Sequence, residues 1–250
     1  RSTLDIANPE SLEHVLEVFK PWGVINGAGY CRVDEAERDP QACLRDNALG
    51  PTLFAEACRR RGLPFVTFSS DLVFDGKARS PYQESDRVAP LGVYGWSKAK
   101  AEKDVLAAHP GALIVRTSAF FGPWDQYNFL TVTLRQLAMR KRVRAAQDMT
   151  VSPTYVPDLV NASLDLLIDG ATGLWHLANQ GATTWADFAR HAASMRGYNA
   201  ELVLPVPASS LGLTAPRPAY SALGTERGNG LMPPLEAAIE RYSASCVITV

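Results

Sequence analysis

Cysteine is scarce in this chain, four residues in 250, and Cys31, Cys43, Cys58 and Cys246 form no C-x-x-C pair and no metal-ligand spacing with the four histidines. That speaks against a zinc site and a disulfide scaffold, and leaves small buried or surface thiols of a reducing compartment. An excess of charge is missing too: 25 Lys and Arg stand against 26 Asp and Glu, a formal net charge of −1. Without a basic surplus, nothing in the composition points to electrostatic binding of nucleic acid or of an anionic membrane. No apolar run approaches membrane-spanning length, no signal peptide opens the chain, and there is no internal repeat, low-complexity segment or disordered linker. A cytoplasmic protein with neither a nucleic-acid nor a membrane partner is expected.

What is present is a regular alternation of helix and strand signals. Pro9 to Phe19 has an apolar stripe of Leu12, Val15, Leu16 and Phe19, with Asn8 as N-cap and Pro9 in the first turn. Gly23 to Ala28, Leu63 to Ser69 and Ala112 to Thr117 read as buried strands. Gln41 to Arg61 reads as a helix facing inward through Leu44, Leu49, Leu53, Phe54 and Ala57. Its basic end, Arg59-Arg60-Arg61 before Gly62, complements a helix dipole rather than forming a binding patch. Helices are predicted again over Phe129–Met139, Val156–Ile168, Thr184–Met195 and Leu235–Tyr242, and strands over Gly173–Ala178 and Leu202–Pro207. From Ala208 to Pro234, Pro, Gly and Ser dominate, which predicts an ordered but irregular surface loop. The pattern implies an α/β fold, a doubly wound parallel sheet followed by a smaller and less regular part.

The most informative stretch is Tyr94-Gly95-Trp96-Ser97-Lys98. A tyrosine and a lysine four residues apart share one helix face, and an ammonium beside a phenol favours the phenolate. Such a pair makes a proton donor and acceptor near neutral pH, although the same spacing also occurs on solvated helices. The strand ends carry Asn26-Gly27-Ala28-Gly29-Tyr30 and Ser69-Ser70-Asp71, at the edge where doubly wound sheets bind ligands.

A strand-end serine followed by a Y-x-x-x-K helix resembles the extended, sugar-nucleotide branch of the short-chain dehydrogenase/reductase superfamily. Val24 to Tyr30, Val33 to Glu37 (VDEAE), Ser69 to Gly76 (SSDLVFDG) and Val93 to Lys98 are similar to the dTDP-4-dehydrorhamnose reductase family. Arg116-Thr117-Ser118, Ser152-Pro153-Thr154, His176-Leu177-Ala178 and Arg217-Pro218 with Ser221 extend the match in order along nearly the whole chain. The resemblance implies a Rossmann-like cofactor domain over residues 1–145 and a C-terminal α+β substrate-binding part over residues 146–250, with some segments returning to the first. It implies NADPH or NADH as cofactor and reduction of a 4-keto group on a nucleotide-linked deoxysugar. Tyr94 would protonate the carbonyl oxygen, Lys98 would hold the nicotinamide ribose and lower the Tyr94 pKa, and Ser70 would stabilise the developing alkoxide. Asp5, Ile6, Ala28, Gly29, Tyr30, Lys98 and Thr117 correspond to cofactor contacts, and Val33, Ser70, Asp71, Tyr94 and Arg217 to substrate contacts. Asn47 corresponds to a helix asparagine that supports the site. Some relatives use magnesium, but no ligand cluster stands out here, and a homodimer is left open.

Two departures from the family pattern matter. The glycine-rich G-x-x-G-x-x-G turn is absent; Gly27-Ala28-Gly29 begins a similar motif but has Arg32 at the third position and follows the wrong strand. Arg1 to Ile6 looks like the tail of the family's third strand, so the chain is expected to be part of a longer polypeptide, lacking roughly 45–60 residues, and to bind cofactor poorly by itself. In the sugar pocket, Leu72 and Ala119 replace two aromatic residues, which removes stacking surface and leaves the substrate's identity open. Phe120, Phe121 or Trp124 could substitute, with Phe120 read as core. A non-catalytic regulatory protein on the same scaffold is the alternative that these two positions favour, and Asp71 beside the strand-end hydroxyl keeps a dehydratase or epimerase relative in view.

Overall fold

A computed structural model of the chain describes residues 4–227 and 230–245. Arg1 to Thr3, the start of the expected strand tail, and Cys246 lie outside them. Leu4 to Ile6 are not in a strand; Asn8 N–H closes a turn onto the Asp5 carbonyl, and the first helix follows. Helix α1 (Pro9–Phe19) starts at Asn8, whose side-chain oxygen accepts from Ser11 N–H at 3.0 Å. The expected stripe is only half kept: Leu12 and Leu16 are buried, but Phe19, the last residue of the helix, is 74% exposed. Strand β1 (Val24–Asn26) was expected to be buried, yet Ile25 is exposed, since β1 lies at an edge of its sheet.

Next come α2 (Val33–Ala36), α3 (Pro40–Leu44), a π-turn (Arg45–Leu49) and α4 (Gly50–Arg60). The π-turn corrects the uninterrupted helix. One extra residue per turn rotates Leu49 out to solvent and turns Cys43, Asn47 and Ala48 inward. Strand β2 (Phe65–Ser70) then pairs in parallel with β1, and a short 3-10 turn (Asp71–Val73) leads toward α5 (Val93–Ala108). Strand β3 (Leu113–Thr117) pairs in parallel with β2, Ser70 opposite Thr117.

The C-terminal half contributes β4 (Phe120–Phe121), α6 (Phe129–Ala138), β5 (Val143–Ala146), β6 (Thr150–Val151), β7 (Thr154–Tyr155), α7 (Val156–Ile168), β8 (Gly173–His176), β9 (Thr183–Thr184), α8 (Trp185–Met195), β10 (Val203–Val206) and α9 (Leu235–Ser245). Strand β8 returns to the main sheet, whose order is β1-β2-β3-β8, while β10 pairs with β5, β4 with β7 and β6 with β9. The two-residue alternation of a strand sorts the core. Phe65 and Ile114 face Leu12, Phe54 and Val105 on one side; Val66, Leu113 and Val115 face Leu159, Ala162 and Leu166 of α7 on the other. The fold is therefore α/β with a doubly wound parallel sheet. A separate cluster of Phe121, Leu130, Leu134, Phe188 and Tyr242 holds α6, α8 and α9 together.

The irregular stretch after Ala208 is not simply a surface loop. Ala215, Ser221, Ala222, Leu223 and Met232 are buried, and Ser221 N–H donates to the Thr150 carbonyl.

Helix α5 is fastened to the sheet by a buried ion pair. Arg116 Nε and Nη2 each donate to Glu102 at 2.7 Å, Ser69 Oγ donates to Glu102 Oε1 at 2.5 Å, and Arg116 Nη1 reaches the Glu84 carbonyl and His176 Nε2. Burial and the adjacent guanidinium lower the His176 pKa, so the ring is neutral and donates Nδ1–H to the Gly224 carbonyl at 2.8 Å. Removing one partner of such a pair leaves a buried charge uncompensated. Glu102→Ala is therefore expected to destabilise the fold by about 3–5 kcal/mol, read as a lowered midpoint in urea unfolding.

Candidate functional site

The C-terminal ends of β1, β2 and β3 meet the first turn of α5, and the local chemistry explains why each segment holds its shape. At the end of β1, Asn26 Oδ1 accepts from Ala28 N–H at 3.1 Å and bends the chain away from the sheet. The next turn is clamped by Asn47 from the π-turn: its Oδ1 accepts from Tyr30 N–H at 2.8 Å, and its Nδ2 donates to the Tyr30 carbonyl at 3.0 Å and to Ser97 Oγ at 3.1 Å. A Cβ on Gly29 would fall 2.7 Å from Asn47 Oδ1 and 3.6 Å from Lys98 Nζ, so only glycine fits there.

Helix α5 is placed from both ends of its first turn. The Glu37 carboxylate accepts from Val93 N–H at 2.7 Å, satisfying one of the unpaired donors of the helix start. Gly95 lies so close to the Leu72 carbonyl that a methyl group would overlap it. Ser97 Oγ donates back to the Tyr94 carbonyl at 2.7 Å. These contacts set Tyr94 and Lys98 over the strand ends, with Lys98 Nζ 5.8 Å from the Tyr94 ring centre and donating to the Phe68 carbonyl at 3.2 Å.

The electrostatics differ from the expectation that Lys98 lowers the Tyr94 pKa. Burial pushes the Tyr94 phenol above its usual value, and burial pulls Lys98 down to about 8. Desolvation outweighs the attraction of the pair, because both charged forms lose water. Tyr94 is thus a protonated phenol throughout the neutral range.

A cavity of about 450 Å³ opens in front of this turn. Ser70, Asp71, Leu72, Tyr94 and Thr117 contribute to its wall from the sheet side, and Met149, Val151, Trp185, Arg217 and Ser221 from the C-terminal half. Of the residues singled out in the sequence, Val33 also lines the cavity. Ala28, Gly29, Tyr30 and Lys98 are not on its wall; Tyr30 is held by Asn47, and Gly29 lies against Asn47 and Lys98. Asp5 and Ile6 are not brought to it: Asp5 pairs with Arg45 and accepts from Ala7 N–H, and Ile6 packs on Gly50. Arg217 is held by Asp34 through Nη1 at 2.8 Å and Nη2 at 2.9 Å. Asp34 also accepts from Thr214 and Ala215 N–H, and the Arg217 hydrogen bond leads the causes that lower its pKa to about 2.

Phe120 is a correction. It is half exposed and on the cavity wall, while Phe121 is the core residue, because β4 alternates its faces. Trp124 is 79% exposed and absent from the wall. Sequence reasoning missed Phe129, Arg144, Met149, Val151 and Trp185, which carry no motif; Ser118 and Ser221 stood inside matched motifs without a role.

A nicotinamide cofactor can be tested against these residues. The Thr117 hydroxyl, opposite Ser70 at the strand ends, is buried without a hydrogen-bond partner, and the Lys98 ammonium stands beside Gly29. These features fit the nicotinamide and its ribose, while the 250 residues contain no glycine-rich turn for the pyrophosphate. Among the described residues no helix is long and apolar enough to cross a membrane.

Comparison with known proteins gives a consistent picture. The family described as RmlD substrate binding domain matches residues 1–241. A dTDP-4-dehydrorhamnose reductase of Mycobacterium tuberculosis is 37% identical over 231 residues, covering 90% of this chain and 75% of the relative. A probable dTDP-4,6-dihydroxy-2-methyloxan-3-one 4-ketoreductase of Streptomyces antibioticus is 35% identical over 236 residues, covering 92% and 79%. The crystal structure of dTDP-4-dehydrorhamnose reductase from Bacillus anthracis in complex with NADP superposes with a TM-score of 0.91 at 33% identity, over 96% of this chain and 86% of that one.

The low pKa of Lys98 has a measurable consequence. Between about 8 and its ordinary value of 10.5, the unfolded chain binds a proton at Lys98 that the folded chain does not. This group therefore makes stability rise with pH across that window. Across that window the unfolding free energy of the wild type should rise relative to that of Lys98→Met, both measured at a series of pH values, because the raised groups Cys58 and Tyr94 contribute the opposite slope to both proteins.

Proposed function

The chain belongs to the dTDP-4-dehydrorhamnose reductase family and is an NAD(P)-dependent oxidoreductase, and from that premise we propose that Tyr94, Lys98 and Ser70 carry the reduction of a 4-keto group on a dTDP-linked deoxysugar. The observation that supports these roles best is the meeting of the three at one end of the sheet, beside a cavity large enough for a sugar.

A reduced nicotinamide, when bound, supplies the hydride. The chain's own residues handle the oxygen that becomes negative as the ketone is reduced. Tyr94, kept protonated by burial, donates its phenolic proton to that oxygen. Ser70 donates a hydrogen bond to the same oxygen, an interaction that strengthens as charge develops. Lys98, fixed by the Phe68 carbonyl, holds the ribose with its ammonium. Residues up to Ser118, with α7 and β8 returning to the main sheet, serve the cofactor and the reacting centre, and the part built from α6, β5 and α8 closes the sugar pocket from the other side. A reductase that draws on NAD(P)H has its natural place in the cytoplasm.

Leu72 and Ala119, where the family resemblance leads one to expect aromatic rings, give the cavity wall an aliphatic stretch next to Ser70. A 6-deoxy or more extensively deoxygenated sugar suits such a wall, since it has fewer hydroxyls to leave without partners.

The test is cofactor oxidation with dTDP-4-dehydrorhamnose and dTDP-4-keto-6-deoxyglucose as substrates. Tyr94→Phe should lower turnover by roughly 10²–10⁴-fold while leaving the cofactor dissociation constant within about threefold of the wild type. Full turnover in Tyr94→Phe, or binding of both ligands by the wild type without reduction of either ketone, would overturn the assignment.

A further inference from the structure

Asp71 is 5% exposed, and its carboxyl group is surrounded by hydroxyls. Oδ1 lies 3.0 Å from Ser70 Oγ, and Oδ2 accepts from Ser221 Oγ at 2.5 Å. The charged groups on the elements around it are engaged elsewhere. On β3, Arg116 is taken by Glu102; on the 215–223 segment, Arg217 is taken by Asp34; on α5, Lys98 points to the Phe68 carbonyl. Tyr94, the other titratable group facing it, is a phenol. Among the described residues no Lys, Arg or His forms an ion pair with Asp71. A buried carboxylate without a counter-charge is costly, and the group ordinarily takes up a proton instead. Burial pushes the Asp71 pKa up, in keeping with that environment.

Hydrogen-bond accounting at Ser70 leads to the same point. A serine hydroxyl has one proton and two lone pairs. Leu72 N–H already donates to Ser70 Oγ at 3.1 Å. If Asp71 is ionised, Ser70 spends its only proton on Oδ1 and has none for a substrate. If Asp71 is protonated, Oδ1–H and Leu72 N–H occupy the two lone pairs, and the Ser70 proton turns to the Tyr94 phenol and the cavity beside it. We propose that Asp71 is a neutral carboxylic acid that donates to Ser70 and thereby frees the Ser70 hydroxyl for the substrate's carbonyl oxygen. Asp71 is thus a positioning residue acting through Ser70, not the substrate contact the motif implies. This inference rests on the reductase reading for its catalytic part alone.

Asparagine can reproduce the neutral acid, with Nδ2–H donating to Ser70 and Oδ1 accepting from Ser221, whereas alanine cannot. Asp71→Ala removes the donor that orients the Ser70 proton and should lower kcat, by no more than the roughly 10²-fold loss expected for Ser70→Ala itself. Asp71→Asn should recover most of that loss, and Asp71→Ala should add little in a Ser70→Ala background. The wild type at neutral pH should show a protonated-carboxyl infrared band that is missing from Asp71→Asn. Absence of that band, an Asp71→Asn variant that binds cofactor but is as slow as Asp71→Ala, or full additivity with Ser70→Ala would overturn the proposal. The band is read without substrate, so a protein that reduces no nucleotide sugar would defeat the reductase reading while the state of Asp71 is still decided.

Discussion

The bidentate pair between Arg116 and Glu102 is the interaction on which the rest of the site depends. It joins β3 to α5, and through Ser69 it reaches β2, so three elements are fixed to one another at the level of the strand ends. A buried ion pair is not by itself a source of stability, because both ions lose their water. Here the cost is offset by further bonds: Arg116 also meets the Glu84 carbonyl and His176, and its guanidinium lies 5.1 Å from the centre of the Phe74 ring. Specific geometry is the return. Glu102 is one helical turn beyond Lys98, so the same pair that holds α5 down also holds the lysine over the sheet.

The charges around the cavity follow a common plan. Arg116 is neutralised by Glu102 and Arg217 by Asp34, while Asp71 has only hydroxyls. At Tyr94 and Ser70 this leaves a set of neutral donors, with the Lys98 ammonium at the edge and Arg144 on the wall bonded to Ser210. Such a set suits a ketone oxygen that starts neutral and gains negative charge, because the donors strengthen only as that charge appears. A permanent cation in the centre would bind ground state and transition state more evenly.

The segment Val33 to Glu37 shows how far a motif can be read without a structure. Its match to the family pattern was visible, but its purpose was not. Asp34 ties down the 214–217 segment by accepting from two backbone N–H groups and Arg217, and Glu37 caps α5 across 56 residues of sequence. Both jobs are long-range, and no local spacing reveals them. Asn47 is similar. A regular helix through Arg45–Leu49 would have pointed Leu49 inward, as periodicity suggested; the π-turn instead brings Asn47 to the Tyr30 backbone.

The sequence by itself determined the order of the main-sheet strands and of the longer helices, the parallel doubly wound sheet and the short list of residues around Tyr94, because apolar periodicity, capping residues and a four-residue spacing are local quantities; the short strands of the C-terminal half carried no such signal. Tertiary structure alone decided protonation and exposure. A Lys four residues from a Tyr predicts a lowered phenol pKa in water, but burial reverses the sign. Phe19 and Ile25 belong to apolar patterns yet face outward, because whether a face is covered depends on what packs against it. Asp71 and Ser221, 150 residues apart, come within one hydrogen bond only when the chain folds, and that contact is set by the packing of the whole and not by either motif.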